Sequence, residues 1–229
     1  THRGPHPEDT RLFAPEQLPT LRQAVSHLAW LLERGYSDRA ASTLVGDRFR
    51  LTERQRMAVF RSVCSDSALA RRREHEVWDV RGQVLAVDGF NVLITVEAAL
   101  SGGILLRGRD GCLRDLASMH GSYRKVEETE RAVRALGDLL ADLGPSRCLW
   151  YLDSPVSNSG RLKMLLLSQP YGWEVETVPD PDRILADTEH VVASSDRVVL
   201  DRCRRWFNLS ARAVDRLGAP VLDLGLRLP

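Results

Sequence analysis

The stretch VLAVDGFNVLI, residues 84–94, places an acidic residue directly after a short apolar run. The run of residues 84–87 has the length and composition of a buried strand. Gly-Phe-Asn follows Asp88, and the apolar residues that come next are typical of a helix that packs on the strand. The stretch therefore predicts a strand that finishes on Asp88 and a helix that carries Asn91 in its first turn.

The same pattern recurs in the C-terminal two thirds of the chain. Further short apolar runs lead to Asp153, Pro179 and Asp196. Between the first two strands, residues 125–144 have the apolar spacing of an amphipathic helix that stops at a glycine. Strands that alternate with helices indicate a mainly parallel sheet with right-handed crossovers. The predicted fold class is therefore α/β.

The N-terminal third has a different pattern. Apolar residues at helical spacing begin at Leu18, and Thr-Glu-Arg-Gln at 52–55 is the signature of a capping box at the start of a later helix. Three or four helices are predicted before residue 78. We predict a flexible tail at 1–17, a small all-α domain at 18–78 and the α/β domain at 79–229.

The composition is that of an ordinary globular protein. Hydrophobic residues make up 43% of the 229, and no run approaches the roughly 18 apolar residues that a membrane helix needs. We therefore expect no membrane span and a cytoplasmic location, since the polar start of the chain lacks the apolar centre of a signal peptide. Widely spaced cysteines argue against a zinc site or a disulfide framework and predict buried thiols. These are Cys64, Cys112, Cys148 and Cys203.

Three aspartates follow separate predicted strands: Asp88, Asp153 and Asp196. The carboxyl ends of parallel strands meet at one edge of a sheet, where ligands bind. Carboxylates brought together repel one another unless a cation neutralises them, and Mg²⁺ and Mn²⁺ prefer oxygen ligands. Each aspartate alone is more typical of a helix cap or a turn. As a set they predict a divalent metal site.

Two residues of the first helix are candidates for supporting this site. Asn91 could orient Asp88 or a metal-bound water through its side-chain amide, and a hydrogen bond at the start of the helix is the alternative. Glu97 lies two turns further along and reaches the site only if the helix leans over the sheet edge. A solvated surface glutamate is the simpler interpretation of Glu97.

The segment PDPDRILAD, residues 179–187, supplies a further acid before the last strand. Asp187 is favoured for the site, because Asp180 and Asp182 flank a proline in a predicted tight turn. The polar loop after Asp153 enters a helix whose free N–H groups could receive a phosphate, with plain capping as an equal alternative. Its candidate substrate-binding residues are Ser154, Ser157, Asn158 and Ser159.

Residues 101–125 are too rich in glycine and charge for a plain helix, and a hairpin is predicted around Arg109-Asp110-Gly111. This segment is a candidate substrate-facing flap, and a solvated loop is the alternative. Arginines of the flap and of the N-terminal helices could contact phosphates, or could form salt bridges within the domain. They are Arg107, Arg109, Arg114 and Arg124 of the flap and Arg48, Arg50, Arg54, Arg56 and Arg71 to Arg73 of the helices.

The order of VDGFN (87–91), YLDSPVSNSG (151–160), PDRILAD (181–187) and ASSD (193–196) resembles the PIN-like nuclease superfamily, which includes the NYN branch. Together with LLERGY (31–36) and LVGDRFRLTERQR (44–56), the chain is more closely similar to the prokaryotic domain of unknown function family numbered 434, whose C-terminal part is PIN-like.

This resemblance implies a three-layer α/β/α fold after a small helical segment. It implies Asp88, Asp153 and Asp196 as metal ligands and Asp187 as a further acid. Asn91 and Ser194 would orient the ligands. PIN nucleases commonly carry one more acid on a helix in the middle of the domain, and here there is no obvious choice between Glu127, Glu128 and Glu130.

The leading hypothesis from the sequence is a Mg²⁺- or Mn²⁺-dependent ribonuclease, with RNA or single-stranded nucleic acid as partner and a homo-oligomer as an open alternative. A second hypothesis is a catalytically inactive module that binds nucleic acid or protein. A third is a hydrolase of a small phosphorylated metabolite. An aspartyl phosphatase is disfavoured because Phe90 stands where a second aspartate is usual, and no phosphate-binding glycine loop is present.

Overall fold

The computed structural model describes residues 3–117, 123 and 125–225. The N-terminal third is helical, as predicted. Its elements are α1 (Asp9–Leu12), a 3₁₀ helix (Pro15–Gln17), α2 (Leu18–Glu33), α3 (Asp38–Arg48), α4 (Glu53–Ser62) and α5 (Asp66–His75). The prediction of a flexible tail at 1–17 differs from the structure, because Leu12 and Phe13 are buried in the core that α2 to α4 form.

The N-terminal helices begin at side chains that satisfy otherwise unpaired N–H groups. Ser37 accepts a hydrogen bond from the backbone N–H of Ala40 at the start of α3. The predicted capping box is present at the start of α4. Thr52 Oγ1 accepts from the N–H of Gln55, and Gln55 Oε1 accepts from the N–H of Thr52.

We expect Thr52→Ala to lower the free energy of unfolding by about 1 kcal/mol, because the first turn of α4 loses its side-chain acceptor. Urea denaturation of the metal-free protein measures the change. Thr52→Ser keeps the hydroxyl and is the matched control. Equal midpoints for wild type and Thr52→Ala would contradict the prediction.

The C-terminal part alternates strands and helices. Its elements are β1 (Val84–Asp88), α6 (Gly89–Leu100), β2 (Leu105–Arg107), β3 (Leu113–Asp115), α7 (Thr129–Leu143), β4 (Arg147–Asp153), α8 (Ser159–Leu167), β5 (Glu174–Val178), α9 (Pro181–Asp187), β6 (Val191–Ala193), α10 (Arg197–Leu200), α11 (Leu209–Leu217) and β7 (Leu222–Asp223).

Four strands form a parallel sheet in the order β5-β4-β1-β6. Leu85 and Val87 pack with residues of α6, α7, α8 and α11, whereas Ala86 faces α9 and α10 on the other side. Helices therefore cover both faces, which is why β1 is almost entirely apolar. The prediction of an α/β fold with a mainly parallel central sheet and an N-terminal helical segment is confirmed.

A second sheet joins the two parts of the chain. The predicted hairpin is present as the antiparallel pair β2–β3, and β7 adds to β2 in parallel. Leu106, Leu116 and Leu224 from this region are buried in the same core as the apolar faces of α2 to α4. The helical segment at 18–78 therefore shares its core with the C-terminal part.

Among the described residues, no helix is both long and apolar enough to cross a membrane. All four cysteines are buried and free, as predicted. Burial raises the pKa of the Cys148 thiol to about 11, so it stays protonated near neutral pH.

Candidate active site

Seven aspartates line one open cleft with a volume of about 890 Å³, and four of them lie at the carboxyl edge of the parallel sheet. Asp88 ends β1, Asp153 ends β4, and Asp196 stands three residues after β6. The fourth is Asp182, in the first turn of the helix that follows β5. The structure therefore brings together the three aspartates singled out from the sequence and adds one.

Asp88 is held at the point where β1 passes into α6. Its Oδ1 accepts a hydrogen bond from the N–H of Asn91 and so caps the helix. The glycine at 89 permits this close passage, because a Cβ there would lie 2.5 Å from Leu152 Cδ2 and 3.0 Å from the carbonyl oxygen of Tyr151. The turn thus presents a buried carboxylate at the floor of the cleft.

Ser194 links two of the carboxylates. Its Oγ donates to Asp88 Oδ2 at 2.7 Å and accepts from the N–H of Asp196 at 3.0 Å. The side chain of Asp196 is turned back to cap α10, where its Oδ1 accepts from the N–H groups of Val198 and Val199. Ser194 therefore connects Asp88 to the backbone of Asp196, and its role in orienting a metal ligand stays a prediction.

The side chain of Asn91 has a different partner from the one considered in the sequence. Its Oδ1 accepts from both the N–H and the hydroxyl of Ser195, at 2.8 and 2.9 Å. Asn91 contacts Asp88 only through its backbone N–H. It therefore ties the start of α6 to the loop after β6, and Ser195 is a supporting residue that the sequence did not single out.

The carboxylates raise one another's pKa. Burial raises the pKa of Asp88 to about 7, the hydrogen bond from Ser194 opposes this, and the negative charges of Asp182 and Asp196 add to it. Burial and the charges of Asp196 and Asp153 raise the pKa of Asp182 to about 6. The pKa of Asp153 is raised in the same direction, chiefly by burial. The negative charges of these carboxylates are therefore only partly neutralised by the groups around them.

This predicts a pH-dependent stability. A carboxyl whose native pKa lies above its ordinary value of 3.8 stabilises the fold fully below that value, and the contribution is lost as the pH rises through about 7. We expect Asp88→Asn to become more stable relative to wild type by about 1.4 kcal/mol per pH unit over that window. Urea unfolding in EDTA at several pH values measures it. A difference that stays constant with pH would contradict the prediction.

Asp187, favoured from the sequence as the further acid, lies away from the cleft. It is at the last residue of α9, is exposed, and pairs with Arg202 at 3.4 Å. The cap of α9 is Asp180, whose Oδ1 accepts a hydrogen bond from the N–H of Arg183. Asp-Pro at 180–181 is the signal that could have placed Asp182 in the first turn, since proline favours the first helical position.

Glu97 is fully buried, and the interpretation of a solvated surface residue is wrong. Its carboxylate accepts hydrogen bonds from Arg3 Nε at 2.9 Å, Thr129 Oγ1 at 2.6 Å and the hydroxyl of Tyr123. It is not among the cleft-lining residues. The three candidates for a further acid on the middle helix, Glu127, Glu128 and Glu130, do not line the cleft either. Glu130 pairs with Lys125 at the surface.

The polar loop after β4 lies beside the cleft and does not line it within the described part of the chain. Asn158 adopts the left-handed conformation, with a φ of 69°, and its Nδ2 donates to the carbonyl of Tyr123 at 2.8 Å. Its side chain makes no capping bond to α8. Ser154 and Ser157 are exposed, and Ser159 is buried in the first turn of α8.

The arginines predicted as phosphate contacts are mostly paired within the chain. Arg109 lies away from the cleft, with Nη2 2.5 Å from Asp66 Oδ1. Arg114 is buried against Asp110. Other arginines of the helices and the hairpin form ion pairs too, namely Arg54, Arg56, Arg71, Arg72 and Arg107. The alternative of salt bridges within the domain holds for these residues, and Arg124 lies outside the described residues.

The N-terminal helices form the wall of the cleft opposite the sheet edge. Met57 and Phe60 of α4 line it, and the guanidinium of Arg197 sits 4.5 Å from the centre of the Phe60 ring. Arg197 Nη2 is 3.7 Å from Asp38 Oδ1, and its Nε has no hydrogen-bond partner among the described residues. Among the described arginines that line the cleft, Arg197 therefore has the longest ion pair.

The donor set fits a hydrated divalent cation. The four aspartates form no ion pair with any described residue, and their oxygens are the ligand type that Mg²⁺ prefers. Across residues 3–117, 123 and 125–225, however, no three acidic, histidine or cysteine side chains are close enough to hold one ion directly. The arrangement suits an ion that one or two carboxylates bind while water supplies the remaining ligands.

Two family models match successive stretches of the chain. The family model described as "Protein of unknown function (DUF434)" matches residues 20–75. An "Uncharacterized protein MJ0935" of Methanocaldococcus jannaschii is 28% identical over 206 residues, which cover 86% of this chain and 98% of that protein. No solved structure is significantly similar. The family model described as "Domain of unknown function (DUF5616)" matches residues 77–212, more than half of the chain, and the chain belongs to that family.

Proposed function

We propose that this protein is a Mg²⁺- or Mn²⁺-dependent ribonuclease with a PIN-like α/β domain. The observation that carries the proposal is the set of four aspartates in one cleft, Asp88, Asp153, Asp182 and Asp196, without a cationic partner among the described residues. Their mutual repulsion costs free energy in the metal-free protein, and a bound divalent cation would remove that cost.

The sheet topology supports this location independently of the charges. From β1 the chain extends the sheet through β4 to β5, and it then returns to the other side of β1 with β6. In open α/β sheets, ligands bind outside the carboxyl ends of the strands at the point where the strand order reverses. That point lies between β1 and β6, where Asp88 and Ser194 meet.

The residues of the cleft have distinct roles in this proposal. Asp88 and Asp196 would hold the cation, with Asp153 and Asp182 binding its water molecules from the other side of β1. When bound, a divalent ion would supply a water of lowered pKa for attack on the phosphodiester and would stabilise charge on the departing oxygen. Ser194 and the N–H of Asn91 keep Asp88 in place by donating to its Oδ2 and Oδ1 respectively.

The opposite wall offers contacts for a polynucleotide. Arg197 is placed to meet a phosphate, because its side chain lines the cleft, is 20% exposed and has a long ion pair with Asp38. Phe60 and the exposed Val198 add an apolar surface against which a base can pack. A single strand fits this arrangement better than a duplex, since its bases are free to leave the stack.

The test is cleavage of labelled single-stranded RNA of mixed sequence by the purified full chain. We expect cleavage with Mn²⁺ or Mg²⁺ and none in EDTA. Fluorescence anisotropy on an uncleavable RNA analogue measures binding separately. Binding without metal-dependent cleavage would overturn the proposal in favour of an inactive nucleic-acid-binding module.

A single-stranded DNA of the same sequence tests the choice of RNA. A panel of small phosphate monoesters and diesters tests the metabolite alternative. Turnover of a small ester at a rate above that of RNA would reassign the substrate class while leaving the metal site in place.

A further inference from the structure

Beside the cleft lies a buried ion cluster that joins the N-terminal helices to the hairpin. Arg72 of α5 and Arg114 of β3 both donate to Asp110, with Nη1 of Arg72 at 2.5 Å and Nη2 of Arg114 at 2.7 Å from its Oδ2. The side chains of Arg72 and Asp110 are each 1% exposed. Arg72 also donates to Asp201, which lines the cleft.

The two arginines also reach the loop that carries Asp196. Arg114 Nε donates to the carbonyl oxygen of Ser195 at 2.7 Å, and Arg72 Nη2 donates to the carbonyl oxygen of Arg197 at 3.3 Å. These are the carbonyls on either side of Asp196. The backbone on both sides of Asp196 is thus hydrogen-bonded to guanidinium groups, and Asp110 holds those groups in place.

We propose that Arg72 and Arg114 are positioning residues that set the orientation of the Asp196 carboxylate in the cleft. The part of this inference that concerns metal affinity rests on the proposed function. The part that concerns the loop does not, because it follows from the contacts alone.

The chemistry of the contacts requires arginine. Each guanidinium uses separate N–H groups for Asp110 and for a loop carbonyl, so one planar group fixes the distance between them. A lysine keeps the positive charge but carries one compact ammonium group on a flexible side chain. That group can stay near Asp110 without donating to the loop carbonyl. The substitution of lysine therefore separates the positioning role from simple charge neutralisation.

The cluster gives a physical reason for the helical segment to accompany the α/β part. Arg72 belongs to the stretch matched by one family model, and Asp196 belongs to the stretch matched by the other. A change in how α5 packs would therefore alter the acidic cleft. On this inference the N-terminal helices are a structural component of the site as well as its opposite wall.

The test uses amide hydrogen exchange resolved by NMR on the full chain without metal. The N–H groups of Val198 and Val199 report on Asp196 directly, because they donate to its Oδ1. In Arg72→Lys and in Arg114→Lys we expect both amides to exchange about tenfold faster, with the amides of β1 unchanged. Arg71→Lys is the matched control, since Arg71 is half-exposed and pairs with the same Asp201 without touching the loop.

Mn²⁺ binding, followed by electron paramagnetic resonance, is the second measurement. We expect affinity to fall by about 10- to 100-fold in both lysine variants and to stay unchanged in the control. Exchange at Val198 and Val199 that matches wild type in both variants would overturn the inference. Should wild type bind no Mn²⁺, the proposed function fails, and the exchange experiment still decides whether Arg72 and Arg114 position Asp196.

Discussion

Asp88→Asn is expected to abolish metal-dependent RNA cleavage. The substitution keeps the shape of the side chain and one oxygen acceptor, but removes the negative charge at the floor of the cleft. Loss of an outer partner of a metal ligand costs about 10- to 100-fold, and loss of a ligand's charge should exceed that range. Binding of uncleavable RNA should persist, because Arg197 and the wall of α4 are untouched.

Two features make this result interpretable. Asp88→Asn is expected to be at least as stable as wild type near neutral pH, since it removes a buried carboxyl with a raised pKa. Lost activity would then not reflect unfolding. Asp187→Asn is the matched control, because that aspartate is exposed and outside the cleft. Full activity in Asp88→Asn, or equal losses in both variants, would contradict the assignment of the cleft.

Among the substitutions named here, Asp110→Asn is expected to lower the free energy of unfolding the most. Asp110 accepts from two buried guanidinium groups, and the uncharged amide would leave Arg114 without a carboxylate partner and Arg72 with only the partly exposed Asp201. Removing one partner of a buried ion cluster typically costs about 3–5 kcal/mol. Urea denaturation at neutral pH measures the loss. Asp142→Asn is the control, since Asp142 belongs to an exposed ion pair with Arg216 that should be worth about 1 kcal/mol or less.

The same carboxylate also predicts an acid limb of unfolding. Burial alone would raise the pKa of Asp110, but Arg114 and Arg72 lower it to about 2. A lowered native pKa stabilises the fold above the ordinary value of 3.8, and this contribution is lost as the pH falls towards 2. Wild type should therefore lose stability in that window more steeply than Asp110→Asn. Parallel acid transitions of the two proteins would show that the cluster contributes little.

Local patterns in the sequence were enough to predict most elements. The strand before Asp88, the amphipathic helix that ends before Gly144 and the capping box at Thr52 are all present. Each depends on hydrogen bonds and apolar spacing within about a dozen residues, so neighbouring letters carry the information. The meeting of Asp88, Asp153 and Asp196 was predictable as well, because parallel strands place their carboxyl ends at one edge.

Other features were decided by how the elements dock. Asp182 and Asp187 lie five residues apart on one short helix, about 7.5 Å along its axis, and only the first turn reaches the sheet edge. The burial of Glu97 depends on Arg3 and Thr129, which are far from it along the chain. A charged residue is buried only where distant partners compensate it.

By itself, then, the sequence determined the strands, the helices and the edge at which the acids gather. Only the tertiary structure decided which acids share the cleft and which arginines can meet a ligand there. It also decided that Arg72 of the N-terminal helices donates a hydrogen bond to the loop that carries Asp196. The physical reason is that periodicity and capping are local interactions, whereas charge compensation is set by side chains that meet only when the whole chain has folded.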